Sequence, residues 1–440
     1  MAVKIRRKSI TESKIQRGIL LIVSLWILAA SLLTSQSTRQ TIVLSAILYV
    51  LFILSGIGFK SRFITSPIFL FVSFCFLYSN TFPFINTFGG ITYYTTGDVA
   101  IKFTSNFALR FFCILLILYT IFFRKLIPNN QLSKVNLPPK NNNEIVALAI
   151  IIILIEIIAF YFGGFYRYIA ANETVRTNLK NYVENYGLWT FLGYLNIYLY
   201  IYLLIYFKQV DFVRRTTLII PIVIYFMICL LTGSRKYILF LLIITLNCTI
   251  VGIIKSKKYL LYVITGVIAA TFMRVVVMDR GFSGNFYSKL AGMTGEFIFP
   301  YISFPLSVQR GITHEYFNYP TLLDSVLYFI PRSFFPQKNY SIGYTFSYMI
   351  MNVGMGFASS PLLEGYINFG EVGFLFEGIL IIIILIFTTR LSKTDYMLYM
   401  FGTILLIDLN RGEVSFFVRQ IFLIWVLLFL INKAVKKVKL

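Results

Sequence analysis

A chain of 440 residues that is 58% hydrophobic and 13% charged, with mean hydropathy +0.79, falls outside the soluble globular class, whose members average about a quarter charged residues. The balance of 40 Lys and Arg against 17 Asp and Glu would suit a nucleic-acid binder, but most lysines stand in short clusters between apolar runs, where they set membrane topology. Four cysteines, all inside apolar runs, give no disulfide framework, and a single histidine, His314, leaves no His-based metal centre to build.

The chain opens with Lys4, Arg6, Arg7, Lys8, Lys14 and Arg17 before the apolar run Gly18 to Leu33. This has the form of a secretory signal, with Ala29-Ala30-Ser31 as its cleavage site. Its length, and the second apolar run that follows at once, favour an uncleaved first helix. Further runs of the roughly twenty apolar residues that a span requires begin near residues 41, 63, 105, 145, 188, 217, 237, 259, 371, 396 and 414. The expected fold is an all-α polytopic integral membrane protein of about twelve transmembrane helices. It reads as a single transmembrane domain over residues 1–440.

The connections alternate in charge. One set comprises the N-terminal tail, Lys60/Arg62, Arg124 to Lys140, Lys208 to Arg215, Lys255 to Lys258, Arg390/Lys393 and Lys433 to Lys439. These carry 24 of the 40 basic residues and four acidic ones. The positive-inside rule places this set and both termini in the cytoplasm. The opposite set then faces outward, and its longest member is a loop over residues 279–370. Within it, Ile342 to Leu363 is apolar enough to imitate a span, but counting it would put Arg390, Lys393 and the basic C-terminus outside. Phe297 to Val308, broken by Pro300 and Pro305, is short enough for an interfacial or re-entrant segment. Pro320 to Ile330 reads as a short amphipathic helix ended by Pro331. The loop is expected as a structured cap carrying short interfacial helices.

Lysine dominates the basic residues assigned to the cytoplasm, whereas 11 of the 16 outside are arginine. Topology needs only positive charge. Guanidinium adds a planar fork for phosphate or carboxylate, so these arginines point to an anion site. The plainer reading is pairing with the eleven carboxylates on the same side. Arg110, Arg274 and Arg419 lie within or at the ends of spans, where an uncompensated charge is costly. Several outer turns place Arg beside Gly or Pro: Thr232-Gly233-Ser234-Arg235-Lys236, Met278-Asp279-Arg280-Gly281, Ile330-Pro331-Arg332 with Pro336-Gln337-Lys338, and Arg411-Gly412-Glu413. Arg176 belongs to a further outer loop. Candidate bases are Glu364, Glu296 and Glu413. Glu364 stands in Ser359-Ser360-Pro361-Leu362-Leu363-Glu364-Gly365-Tyr366-Ile367-Asn368-Phe369-Gly370, where small residues allow close backbone approach. Glu156 and Glu377 are intramembrane carboxylates, functional by default unless a buried Arg pairs with them. His314 reads as a surface loop residue. No DxD, HExxH, GxSxG or Walker motif occurs, so the arginines would supply the electrostatics a metal otherwise provides.

The turn at 232–235, the run at 330–338, the Ser-Ser-Pro-Leu-x-Glu-Gly-Tyr-x-Asn-Phe-Gly run ending at Gly370 and Arg411-Gly412-Glu413 resemble the Wzy-type oligosaccharide repeat-unit polymerases of O-antigen and capsule synthesis. The resemblance extends from about Arg176 to Arg419. It implies a bacterial inner-membrane glycosyltransferase that transfers a growing glycan from undecaprenyl diphosphate to a sugar hydroxyl of the next lipid-linked repeat unit, without a metal or other cofactor. By resemblance, Glu364, Arg235 and Arg332 are the catalytic candidates. Diphosphate or glycan binding falls to Arg176, Arg235, Arg274, Arg280, Arg332, Lys338, Arg411 and Arg419. Expected partners are undecaprenyl-diphosphate-linked oligosaccharides and membrane lipid, with a chain-length regulator and a flippase as protein partners and no nucleic acid. The alternatives are an O-antigen ligase, which shares a large outer loop, and a flippase or transporter of lipid-linked oligosaccharide, which would show repeated halves and a midplane polar cavity.

Overall fold

The computed structural model of the chain describes residues 2–59, 61–91, 96–128, 142–170, 186–206, 210–231, 236–251, 298, 300–327, 330, 333–346 and 358–438. Among these residues the secondary structure is helical, without strands. Bilayer lipid offers no partner to an exposed backbone amide, so apolar runs of this length close their hydrogen bonds internally as helices. The principal helices are α1 (Ala2–Leu33), α2 (Thr38–Gly56), α3 (Pro67–Gly89), α4 (Asp98–Leu126), α5 (Asn142–Phe162), α6 (Tyr186–Tyr206), α7 (Phe212–Leu231), α8 (Lys236–Ile250), α9 (300–309), α10 (Pro361–Phe369), α11 (Gly373–Thr394), α12 (Tyr396–Leu409) and α13 (Val414–Val438).

Among the described residues eight runs are long and apolar enough to cross a membrane: seven fall in α1 to α7, and the eighth is Pro361–Lys393. The protein is membrane-embedded and multi-pass. Three further expected spans are shorter apolar helices, Leu239–Ile250, Tyr396–Leu409 and Phe417–Leu427, and the one expected from residue 259 lies outside the described residues. The run Pro361–Lys393 is continuous in hydropathy but not in geometry, because Gly370 adopts φ 61° and ψ −141° and separates α10 from α11. Of the imitation span at 342–363, residues 342–346 are helical, residues 358–360 are not and α10 begins at Pro361, while residues 347–357 lie outside the described residues.

The described helices group into two compact units, each assembled from separate stretches. The first comprises Met1–Asn129, Gly281–Thr394 and Leu405–Arg419. Its axis is α4, which packs along α1, α2, α3 and α11. Lipid tails are as apolar as leucine, so burial in lipid does not drive this association; packing and interhelical hydrogen bonds do. Ser55 of α2 joins two neighbours, accepting the Ser13 hydroxyl on its carbonyl at 2.7 Å and meeting the Tyr119 hydroxyl at 3.2 Å. Arg17 lies 3.8 Å from the centre of the Phe123 ring, a cation–π contact that lets a charge enter the helix stack.

Helix α9 covers the segment expected as interfacial or re-entrant, and it is buried within its unit. Tyr301, Ile302, Phe304 and Leu306 are all buried, and aromatic contacts reach α3 (Phe82–Tyr301), α4 (Phe107–Phe304) and α10 (Phe304–Tyr366). Ser303 and Ser307 of the same helix are buried as well, the Ser303 hydroxyl on the Ala358 carbonyl at 2.9 Å.

The second unit comprises Asn130–Arg280, Asp395–Ile404 and Gln420–Leu440. It is built on α6, whose Tyr194, Tyr198, Tyr202 and Tyr206 fall at four-residue intervals on one buried stripe. Glu156 of α5 accepts a hydrogen bond from the Asn196 amide at 2.6 Å. Its partner is thus an amide, not the buried arginine weighed from sequence.

Candidate active site

The sequence Ser360-Pro361 starts α10 in the manner its chemistry dictates. The Ser360 hydroxyl accepts from Leu363 N at 3.3 Å, and Pro361 occupies the first turn, where its missing N–H costs nothing. Nine residues later Gly370 takes a left-handed φ of 61°, open to glycine and strained for other residues. The turn folds α10 against α11 so closely that Gly365 and Gly373 touch. A Cβ on Gly373 would overlap the Gly365 carbonyl, and one on Gly365 would lie 2.9 Å from the Glu377 Cβ and 3.0 Å from the Gly373 carbonyl. Both glycines are therefore packing requirements.

This crossing brings carboxylates together. Glu364 and Glu377 are fully buried, and Glu413 and Asp324 nearly so. Glu364 lies within electrostatic reach of the other three. Its Oε2 accepts from the backbone N–H of Val414 at 2.8 Å, the first residue of α13, where free amides and the helix dipole favour a negative group. Its Oε1 and both oxygens of Glu377 have no hydrogen-bond partner among the described residues.

Glu413, in the turn before α13 and outside the spanning runs, accepts from Gly343 N and the Ser359 hydroxyl, both at 3.4 Å. Burial pushes its carboxyl up to about 7, with Asp324 adding to the rise, while the amides of Gly343 and Ile342 and the Ser359 hydroxyl oppose it.

Described residues of the loop between 318 and 339 are tied to this cluster from the other side. Thr321 N donates to Asn368 Oδ1 at 2.8 Å, and Asn368 Nδ2 donates to Thr321 Oγ1 at 2.9 Å and to the Glu364 carbonyl at 2.8 Å. Asp324 accepts from the Tyr319 hydroxyl at 2.6 Å, and Asn339 binds the Tyr319 carbonyl at 2.9 Å while its own Oδ1 accepts from Asn318 N at 2.9 Å. The short helical segment expected at 320–330 is present as two turns, Thr321–Leu323 and Asp324–Leu327.

The candidate residues divide into placed and unplaced. Glu364 is the hub of the cluster. Arg411 stands in the same turn as Glu413, half-buried, with its backbone N–H on the Asp408 carbonyl at 3.0 Å. Arg419 is half-buried on α13, and Lys338 donates to the Ile330 carbonyl at 3.2 Å. Arg176, Arg235, Arg274, Arg280 and Arg332, with Glu296, lie outside the described residues. His314 is exposed in a single turn of the loop. Arg110 resolves differently from a ligand site. Its Nη2 donates to the Ser31 carbonyl at 2.5 Å, near the C-terminal, electronegative end of α1, and Glu371 lies within electrostatic reach.

Sequence reasoning missed Glu377 as a member of the cluster, and also Asn368, Thr321 and Asn339. The signal for Glu377 was the pair Gly365 and Gly373, eight residues apart around Gly370, which forces α11 against α10. No family model, curated protein or solved structure matches the chain. Among the described residues no group of three or more His, Cys, Asp or Glu side chains is placed to hold a metal ion. A cavity beside the start of α10, lined by Tyr78, Ser79, Tyr301, Ser360 and Asn410 among others, has a volume of about 10 Å³. That is room for about one water molecule.

Proposed function

We propose that the chain is a membrane glycosyltransferase that polymerises undecaprenyl-diphosphate-linked oligosaccharide repeat units into O-antigen or capsular polysaccharide, on the extracytoplasmic face of a bacterial inner membrane. The observation that supports this reading is convergence. Asn368 of the 359–370 run binds the outer loop at Thr321, Glu364 of the same run binds the turn that carries Arg411 and Glu413, and Glu413 binds back to Ser359. Stretches separated by tens of residues, and singled out by their residue types alone, thus meet at one cluster. The charge pattern of the connections supports an outward-facing loop.

In the proposed reaction the acceptor hydroxyl oxygen forms a bond to the anomeric carbon of the growing glycan. The bond from that carbon to the lipid diphosphate breaks, and the hydroxyl proton passes to a carboxylate. Guanidinium groups, Arg411 among them, stabilise the charge on the departing diphosphate. Glu364 is the carboxylate chosen from sequence. Because it is fully buried with Oε2 on Val414 N, this role requires the 410–413 turn to move off it when substrate enters. That same hydrogen bond favours a second assignment, in which Glu364 caps α13 and Glu413, with its carboxyl near 7, is the base, since a base works best near the ambient pH.

The test is made in cells lacking the native gene. Arg332→Ala and Arg411→Ala are expected to leave single repeat units in place of long surface polysaccharide, at undiminished protein level. Full-length polysaccharide in both variants would remove the site. Glu364→Gln and Glu413→Gln then separate the two assignments, the base being the residue whose loss abolishes the ladder.

A further inference from the structure

At the crossing of α10 and α11 three oxygens on two fully buried side chains have no hydrogen-bond partner among the described residues: Oε1 of Glu364 and both oxygens of Glu377, whose Cβ packs at Gly365, next to Glu364. Buried polar atoms are nearly always hydrogen-bonded, and each left unsatisfied costs about 1–3 kcal/mol. The groups around the pair are the Val414 N–H, Glu413 and Asp324 facing Glu364, and the Gly365 backbone facing Glu377. On α4, Ile114 packs against Gly378 beside Glu377. The cation nearest in sequence on that helix, Arg110, is engaged by Ser31 and lies within reach of Glu371. Neither Glu364 nor Glu377 has an Arg or Lys as hydrogen-bond partner among the described residues. Among the described residues, a carboxyl proton is the donor that can serve these oxygens.

We propose that Glu377 and Glu364 form a hydrogen-bonded carboxyl–carboxylate pair holding one proton, with Glu377 donating its O–H to Oε1 of Glu364. Two facing carboxylates in an apolar interior cannot both carry charge without strong repulsion. A shared proton removes that repulsion and satisfies two of the three oxygens. Glu364 is then held at both ends, by Val414 N–H on Oε2 and by Glu377 on Oε1, so Glu377 is a positioning residue of the site. Its part in the reaction rests on the reading of Glu364 as the base; the existence of the pair does not.

The pair is tested on the purified full-length protein in lipid nanodiscs by infrared spectroscopy at neutral pH, without substrate. The expected result is a carboxylic-acid carbonyl component that shifts in heavy water and stands out in the difference between wild type and Glu377→Gln, where the contribution of Glu413 cancels. A difference spectrum without that component overturns the pair. The positioning role is tested by turnover of lipid-linked repeat units. Glu377→Gln keeps an N–H donor toward Glu364 and is expected to stay within a few-fold of wild type, while Glu377→Met, which has no donor, loses about a hundredfold in kcat with KM unchanged. Equal activity of the two variants overturns the role. A protein that shows the component but never lengthens glycan contradicts the polymerase reading and leaves the pair standing.

Discussion

Glu413 couples the site to pH, and the sign follows from its environment. Its carboxyl is raised from the ordinary value of 4.5 to about 7, chiefly by burial. A carboxyl whose folded-state value is raised contributes stability that is fully present below the unfolded value and is lost as pH rises through the folded one. The span from 4.5 to about 7 corresponds to about 3 kcal/mol. The midpoint of thermal unfolding in detergent is expected to fall as pH increases from 5 to about 8, and Glu413→Gln is expected to flatten that dependence. A wild-type midpoint indifferent to pH over this range would contradict the buried placement. A second expectation at this scale concerns Arg110→Leu. It leaves the Ser31 carbonyl without its charged donor, at a cost of about 1.5–3 kcal/mol, read as a lower unfolding midpoint with polymerisation retained. How much of these residues was legible differs between them. An arginine within a span announces a buried partner, but the partner is a carbonyl 79 positions away, which no local pattern encodes.

At the scale of elements, the 359–370 run was legible as a tight, functionally loaded turn, and its glycines and proline carry local signals that survive in the structure. What the sequence could not convey was direction. The run is apolar enough to merge with the span that follows, and only the backbone of Gly370 and the contact of Gly365 with Gly373 separate them. The short length and two prolines of α9 allowed an interfacial or a re-entrant segment, and only the packing shows its aromatic side chains buried among α3, α4 and α10. Gly373→Ala must displace backbone and is expected to cost more than Gly365→Ala, whose first contact is a side chain. Thermal unfolding of the two variants gives the ranking, and equal midpoints would count against the crossing. Asn368→Ala removes two hydrogen bonds between α10 and the loop and a third to the Glu364 carbonyl within α10, about 0.5–1.5 kcal/mol for each on average. Limited proteolysis is expected to cleave the loop at 313–340 faster in this variant while the apolar helices stay protected; an unchanged rate would mean that the loop is held elsewhere.

For the whole molecule, composition alone established a multi-pass helical membrane protein, and hydropathy located eight of the expected spans among the described residues. The division into two units was not legible, because it assembles stretches hundreds of residues apart, and hydropathy carries no information about which spans pack together. Orientation is accessible to a direct test, since the four native cysteines are all buried. A membrane-impermeant maleimide is expected to label Phe334→Cys in intact cells, at a position 82% exposed, and Lys393→Cys only after permeabilisation. The reverse pattern would invert the topology and move the proposed site to the cytoplasm. The most direct measurement of the central claim is reconstitution of the purified protein with undecaprenyl-diphosphate-linked repeat units and no other protein. The account predicts a ladder of lengthening glycan with release of one lipid diphosphate per unit added. Glycan that crosses the bilayer without lengthening, or no lengthening in protein shown to be folded, would contradict it.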